Sequence, residues 1–188
     1  MGCATLLMAG ACNRDYDRGV ASDSAPAGSA SELDTRGQDF VQKAAVVNIA
    51  EVELGQLAAQ RAEHADVKRF ARTMVDDHST SLDELTTAAS RGGVQVTRTL
   101  DEKHRELHQR LSSLQGKEFD REFMKAMVEG HEEAAALLEN RAERAASNPA
   151  ATTSNGTPLN GEVDQWAAKT LPQVRAHLEQ AKQIRERL

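Results

Sequence analysis

An all-α, antiparallel four-helix bundle with an extra short crossover helix is the fold this sequence predicts, and three observations carry it. Apolar residues recur at alternating steps of three and four along four long stretches, the spacing that puts them on one face of a helix. Only 3% of residues are aromatic, and Ala, Glu, Leu and Arg dominate the second half, a composition of helices packed through small and straight side chains. Clusters of Gly, Pro and Asn separate the stretches. With 188 residues and 39% hydrophobic content, the chain is long enough for one core plus appendages, and strands are not expected.

The first dozen residues stand apart. Met1 to Ala11 holds no charged side chain and ends in Leu6-Leu7-Met8-Ala9-Gly10-Ala11, directly before Cys12. An apolar run of about ten residues is half the roughly twenty needed to span a bilayer. Small residues immediately before a Cys resemble the lipobox of bacterial lipoproteins, in which that Cys becomes the acylated N-terminus. Ala9 stands where Leu is usual, and no positive charge precedes the run, so a disordered or misassigned terminus is the competing reading. Myristoylation at Gly2 is excluded by Leu6, which occupies the position that requires Ser or Thr. With Cys12 acylated and Cys3 removed, no thiol remains for a disulfide or for thiolate catalysis. Residues 13–37 are rich in Ser, Ala, Gly and Asp without periodicity, which predicts a disordered tether between residues 1–12 and a folded domain at 38–188.

The first helix is expected from about Gln38, with Phe40, Ala44, Val47, Glu51, Leu54 and Ala58 on one face. After a tight joint at His64-Ala65-Asp66, with Asp66 as N-cap, a second helix turns Val67, Ala71, Met74, His78, Leu85 and Ala88 inward and ends at Gly92-Gly93. So short a joint makes the two helices antiparallel neighbours. The capping box Thr99-Leu100-Asp101-Glu102 opens a shorter crossover helix over Leu100 to Leu114. A long helix from near Glu118 to Ala146 presents Phe123, Met127, His131, Ala134 or Ala135, Leu138 and Ala142. Ser147 to Asn160, with Pro149, Gly156 and Pro158, reads as a loop. The last helix carries Val163, Ala167, Thr170, Val174, His177, Ala181, Ile184 and Leu188, with Pro172 expected to kink it.

One position in each long helix breaks its apolar stripe near the midpoint: Glu51, His78, His131 and His177. In an antiparallel bundle the four meet at one level of the core, where burial is costly unless they pair or bind something. Met74-Val75-Asp76-Asp77-His78 and Met127-Val128-Glu129-Gly130-His131 echo each other, as two related hairpins facing a shared axis would. Three imidazoles and a carboxylate suit a single Zn, Cu, Ni or Fe ion. Two alternatives stay open: a hydrogen-bonded polar layer without metal, and exposure through a misjudged helix phase. Asn48, Glu53, Asp77 and Glu129 are candidate partners of these four or members of a solvated face. Met74 and Met127 read as core fillers, and His104 and His108 as surface or lid residues.

Several of these segments together resemble a known bacterial family. Asp39-Phe40-Val41, Ala50-Glu51-Val52-Glu53-Leu54-Gly55, Met74 to His78, Phe123 to His131 and Ala168-Lys169-Thr170-Leu171-Pro172 are similar to the domain of unknown function 4142. The resemblance runs from residue 38 to the C-terminus and implies a ferritin-like four-helix bundle in an exported or outer-membrane protein of unassigned activity. A ferritin-like relationship implies Glu-x-x-His ligand pairs for a di-metal site. Here Val75, Val128 and Val174 stand three residues before the histidines, so a di-iron oxidase or iron-storage site is not supported.

The net charge of −6, with acids and bases interspersed, provides no basic stripe for nucleic acid. No Ser/His/Asp order, phosphate-cradling Gly loop or activated Cys points to catalysis, so no catalytic residue is assigned. Two functional expectations remain. One is a lipid-anchored envelope bundle binding a metal or small ligand in its core; the other is a structural or protein-interaction module of the envelope with a metal-free core layer. Asn13 after Cys12, in place of the Asp that favours inner-membrane retention, implies the outer membrane, with the domain facing the periplasm.

Overall fold

The computed structural model describes residues 33–147 and 160–188. Within them the chain forms five helices and no strand: α1 (Thr35–Arg61), α2 (Ala65–Arg91), α3 (Glu102–Ser112), α4 (Gly116–Ser147) and α5 (Gly161–Arg185). The expected signal segment with Cys12, most of the tether and nearly all of the loop before α5 lie outside the described residues. No described helix is long and apolar enough to cross a membrane.

The helix starts differ from expectation in four places: α4 opens at Gly116, two residues ahead of Glu118, and the other three differ at their caps. α1 begins three residues before Gln38, because Asp34 caps it by accepting the Gly37 N–H at 2.6 Å. Leu33 just ahead is buried, and its N–H donates to the Gly92 carbonyl at 3.2 Å. In α2 the cap is His64, whose Nδ1 accepts the Asp66 N–H at 3.2 Å; Asp66 sits in the first turn, where a negative charge suits the helix N-terminus. In α3 it is Asp101 rather than Thr99 that accepts the His104 N–H, at 2.9 Å. Residues 94–101 stay non-helical, and Val94, Val96 and Leu100 pack against the core from that segment. α2 ends where the paired glycines predict, with Gly93 at a φ of 76°. α5 runs through Pro172 as one helix.

α1 and α2 form one hairpin and α4 and α5 the other, with α1 packed on α4, α2 on α5, and α3 against α1 and α4. Asp120, buried near the start of α4, accepts the Glu63 and His64 N–H groups of the α1–α2 joint at 3.1 and 2.7 Å. Arg187, just past α5, reaches Asp66 at 3.1 Å on the same end. At the opposite end the Asp34 N–H donates to the Asn160 side chain at 3.2 Å, tying the start of α1 to that of α5. Every packed pair of long helices is therefore antiparallel. One long connection carrying α3 runs the length of the bundle, as in crossover bundles.

The apolar core is divided in two. Phe40, Leu85, Leu138 and Trp166 belong to the half nearest the start of α1. Phe70, Met74, Phe119, Phe123, Met127 and Ile184 fill the other. Between them lie the buried polar residues Asn48, Glu51, His78, His131 and His177.

Candidate metal centre

The helical stripes place their four interruptions as expected: Glu51 from α1, His78 from α2, His131 from α4 and His177 from α5 are all buried at mid-bundle. The three imidazoles form a nearly equilateral triangle, with ring centroids 5.5, 5.6 and 5.6 Å apart. Phe70 closes one side, 6.3 Å from His131 and 6.5 Å from His177 between ring centroids.

Each ring is held from behind. Asn48 donates its amide N–H to the Ala44 carbonyl at 2.8 Å, which leaves its Oδ1 to accept the His78 Nδ1–H at 3.1 Å. His131 donates its Nδ1–H to the Met127 carbonyl one turn earlier, at 2.8 Å. His177 donates its Nε2–H to Asp77 Oδ2 at 2.9 Å. These acceptors select one tautomer for each neutral ring, so the lone pairs rest on His78 Nε2, His131 Nε2 and His177 Nδ1. All three nitrogens are buried and have no hydrogen-bond partner among the described residues. One nitrogen from each ring lies within 4.8 Å of the others.

Burial sets the protonation. It lowers His131 from 6.5 to about 4, against a smaller upward pull from its bond to Met127. His78 falls well below 6.5 through burial and then through the charges of the other two rings, and His177 falls through burial and His131 despite the opposing pull of Asp77. Burial raises Glu51 from 4.5 to about 8. The 3.6 Å approach of Glu51 Oε1 to His131 Nδ1 is thus a contact between uncharged groups at neutral pH.

Three lone pairs that face one another without a donor lack a partner for which all three are suited. A water molecule has only two hydrogens and cannot satisfy three acceptors. A metal cation can, and neutral imidazoles whose far N–H groups are bonded to a carboxylate, a carbonyl and an amide are oriented as metal ligands are. The donor set therefore fits a transition-metal ion, and the three histidines can hold one.

Glu51 lies at the same level but outside this group of three, on the Nδ1 edge of His131. Of the candidate partners, Asn48 and Asp77 hold rings, whereas Glu53 and Glu129 are exposed. No sequence pattern marks Gly130 as part of the site, yet a Cβ there would stand 3.1 Å from Glu51 Oε1, so the missing side chain makes room for the carboxylate. His104 is half-buried on α3 and bonded through Nδ1 to Asp101 at 2.6 Å.

A crossover four-helix bundle with a buried three-histidine centre is the class that fold and site define. The chain belongs to the DUF4142 family, a domain of unknown function, whose profile matches residues 22–184. No curated protein matches it in sequence. A DUF305 fragment from Deinococcus radiodurans is similar in structure, with a TM-score of 0.68 and 15% identity over 84% of this chain and 99% of that one. CopM in its Cu(II)-bound form is similar at a TM-score of 0.61, with 20% identity over 80% of this chain and 96% of the other. CopM in its Ag-bound form gives 0.57 and 22% over 78% and 93%. At these identities the likeness is one of fold.

Proposed function

We propose that this protein is an envelope-anchored bundle that binds one transition-metal ion between His78 Nε2, His131 Nε2 and His177 Nδ1, with copper ahead of Zn, Ni and Fe. The observation that carries the reading is the set of three buried, mutually facing ring nitrogens without a partner. Copper is placed first because the similar bundle CopM has Cu(II)-, Cu(I)- and Ag-bound forms, and because imidazole is a good copper ligand. Glu51 lies beside the centre as a reserve of negative charge: a cation in the triangle favours its ionised form, which burial alone disfavours. The role is binding and retention of the ion, not turnover. Anchoring through Cys12 and a tether would hold the domain at the periplasmic face of the outer membrane, where membrane lipid is its first partner.

The competing reading is a metal-free layer that sets helix register in an envelope interaction module, favoured by the three outward hydrogen bonds that already satisfy one nitrogen of each ring. Elemental analysis of protein purified without chelator or affinity tag separates the two. Near-stoichiometric metal that disappears in both His78→Ala and His131→Ala supports the metal centre. No metal after Cu, Zn, Ni and Fe are offered leaves the layer structural. Mass spectrometry of the mature N-terminus tests the anchor, with diacylglycerol on Cys12 as the expected adduct.

A further inference from the structure

A cleft of about 250 Å3 opens beneath α3, between α1 and α4, with Glu51, Met127 and Gly130 among its lining. Glu51 is only 4% exposed, yet it lines this cleft with Oε2 unpartnered, while its Oε1 lies 3.6 Å from His131. One carboxylate thus touches both the cleft and the ring that begins the triangle. Around it stand Glu106, Glu129 and Glu133 together with Lys103, Arg110 and His104, so carboxylates are at hand to meet a cation that enters the cleft. Gly130 leaves the carboxylate its space on the cleft side.

The roof is lightly held. α3 buries only Leu111, and the Lys103–Glu133 bridge that joins it to α4 at 2.5 Å is exposed on both sides, a kind of pair worth little. A second cavity adjoins His78 and holds about 20 Å3, walled mostly by apolar residues such as Val47, Leu137 and Val174 with Asn48 and Thr170 among them. That is about the space of one water, and its apolar walls disfavour a cation.

We infer that the cleft beneath α3 is the route by which the metal ion reaches the core, and that Glu51 is the positioning carboxylate that takes the ion from the cleft and passes it beyond His131 to the three ring nitrogens. The inference rests on the metal-binding reading above and adds its route and relay.

The test is the rate at which metal-free full-length protein takes Cu(II) from a chromophoric chelator, followed by stopped-flow absorbance. Leu107→Trp fills the cleft, and Gly130→Ala crowds Glu51 with a residue that favours the helix. Both are expected to slow uptake, and release to a chelator, at least about tenfold while one ion per chain is still bound, because a blocked route raises the barrier in both directions. Glu51→Gln is expected to slow uptake similarly, and Val47→Trp, facing the other cavity, to leave it unchanged. If Leu107→Trp does not fold by circular dichroism, Gly130→Ala and Glu51→Gln decide. One-to-one binding at unchanged rates in the folded cleft variants overturns the route and leaves the metal centre standing. Absence of Cu(II) binding by the wild type overturns the metal-binding reading and the route with it.

Discussion

Asp77 accepts the Nε2–H of His177 at 2.9 Å, although the two residues are 100 positions apart and belong to opposite hairpins. The bond fixes the ring's tautomer, so that its Nδ1 lone pair faces His78 and His131 rather than being shared between two protonation patterns. A half-exposed aspartate on α2 therefore shapes a ligand on α5.

Asp77→Ala removes that acceptor without touching a ring nitrogen of the triangle. Metal affinity is expected to fall by about 10- to 100-fold, the usual effect of losing the residue that orients a metal-ligating histidine. A competition titration against a chromophoric chelator reads it, with circular dichroism unchanged.

The metal-free protein gains stability when the centre is made apolar. His131→Leu removes an imidazole whose Nε2 has no partner, and the Met127 carbonyl it releases keeps its helix hydrogen bond. Urea denaturation in the presence of a chelator should show a gain of about 1 kcal/mol or more, the cost of a buried unsatisfied polar group, while metal binding is lost. A loss of stability would mean that the ring contributes to the fold in its own right.

Glu51 imposes a pH dependence of its own. Its unfolded value is near 4.5 and its folded value about 8, so above 4.5 the unfolded chain holds fewer protons; the contribution is complete below 4.5 and lost as pH rises toward 8. The histidines act oppositely. Their folded values lie below 6.5, so their contribution is present above 6.5 and lost as pH falls, for His131 toward about 4. Of these four groups Glu51 is the one that acts between 6.5 and 8: metal-free stability is expected to decline with rising pH across that window, and Glu51→Gln to lessen the decline.

How far the sequence could be read follows from the range of each interaction. Periodicity turns Glu51, His78, His131 and His177 inward, because a residue's angular place on a helix depends only on its spacing from its neighbours, and their midpoint positions in antiparallel helices set them at one level. The caps were less legible. Asp34, His64 and Asp101 displaced the expected boundaries because Asp, Ser, Thr and Gly suit a tether, a turn or a cap equally, and only tertiary contacts such as Leu33 with Gly92 decide among them. The pairing of Asp77 with His177, and the edge of His131 that Glu51 meets, depend on which helices adjoin and which rotamers they allow. No local pattern encodes either.

Asp34→Ala tests the revised start of the fold. Loss of the N-cap that accepts the Gly37 N–H should cost about 1 kcal/mol by chemical denaturation. A residue within a disordered tether would show no change.

The most direct test of the central claim is an anomalous difference map from a crystal of the protein soaked with Cu(II) and collected at the copper edge. One strong peak is expected inside the triangle, about 2.0 Å from His78 Nε2, His131 Nε2 and His177 Nδ1. An empty triangle, with copper found only on exposed groups or not at all, would contradict it.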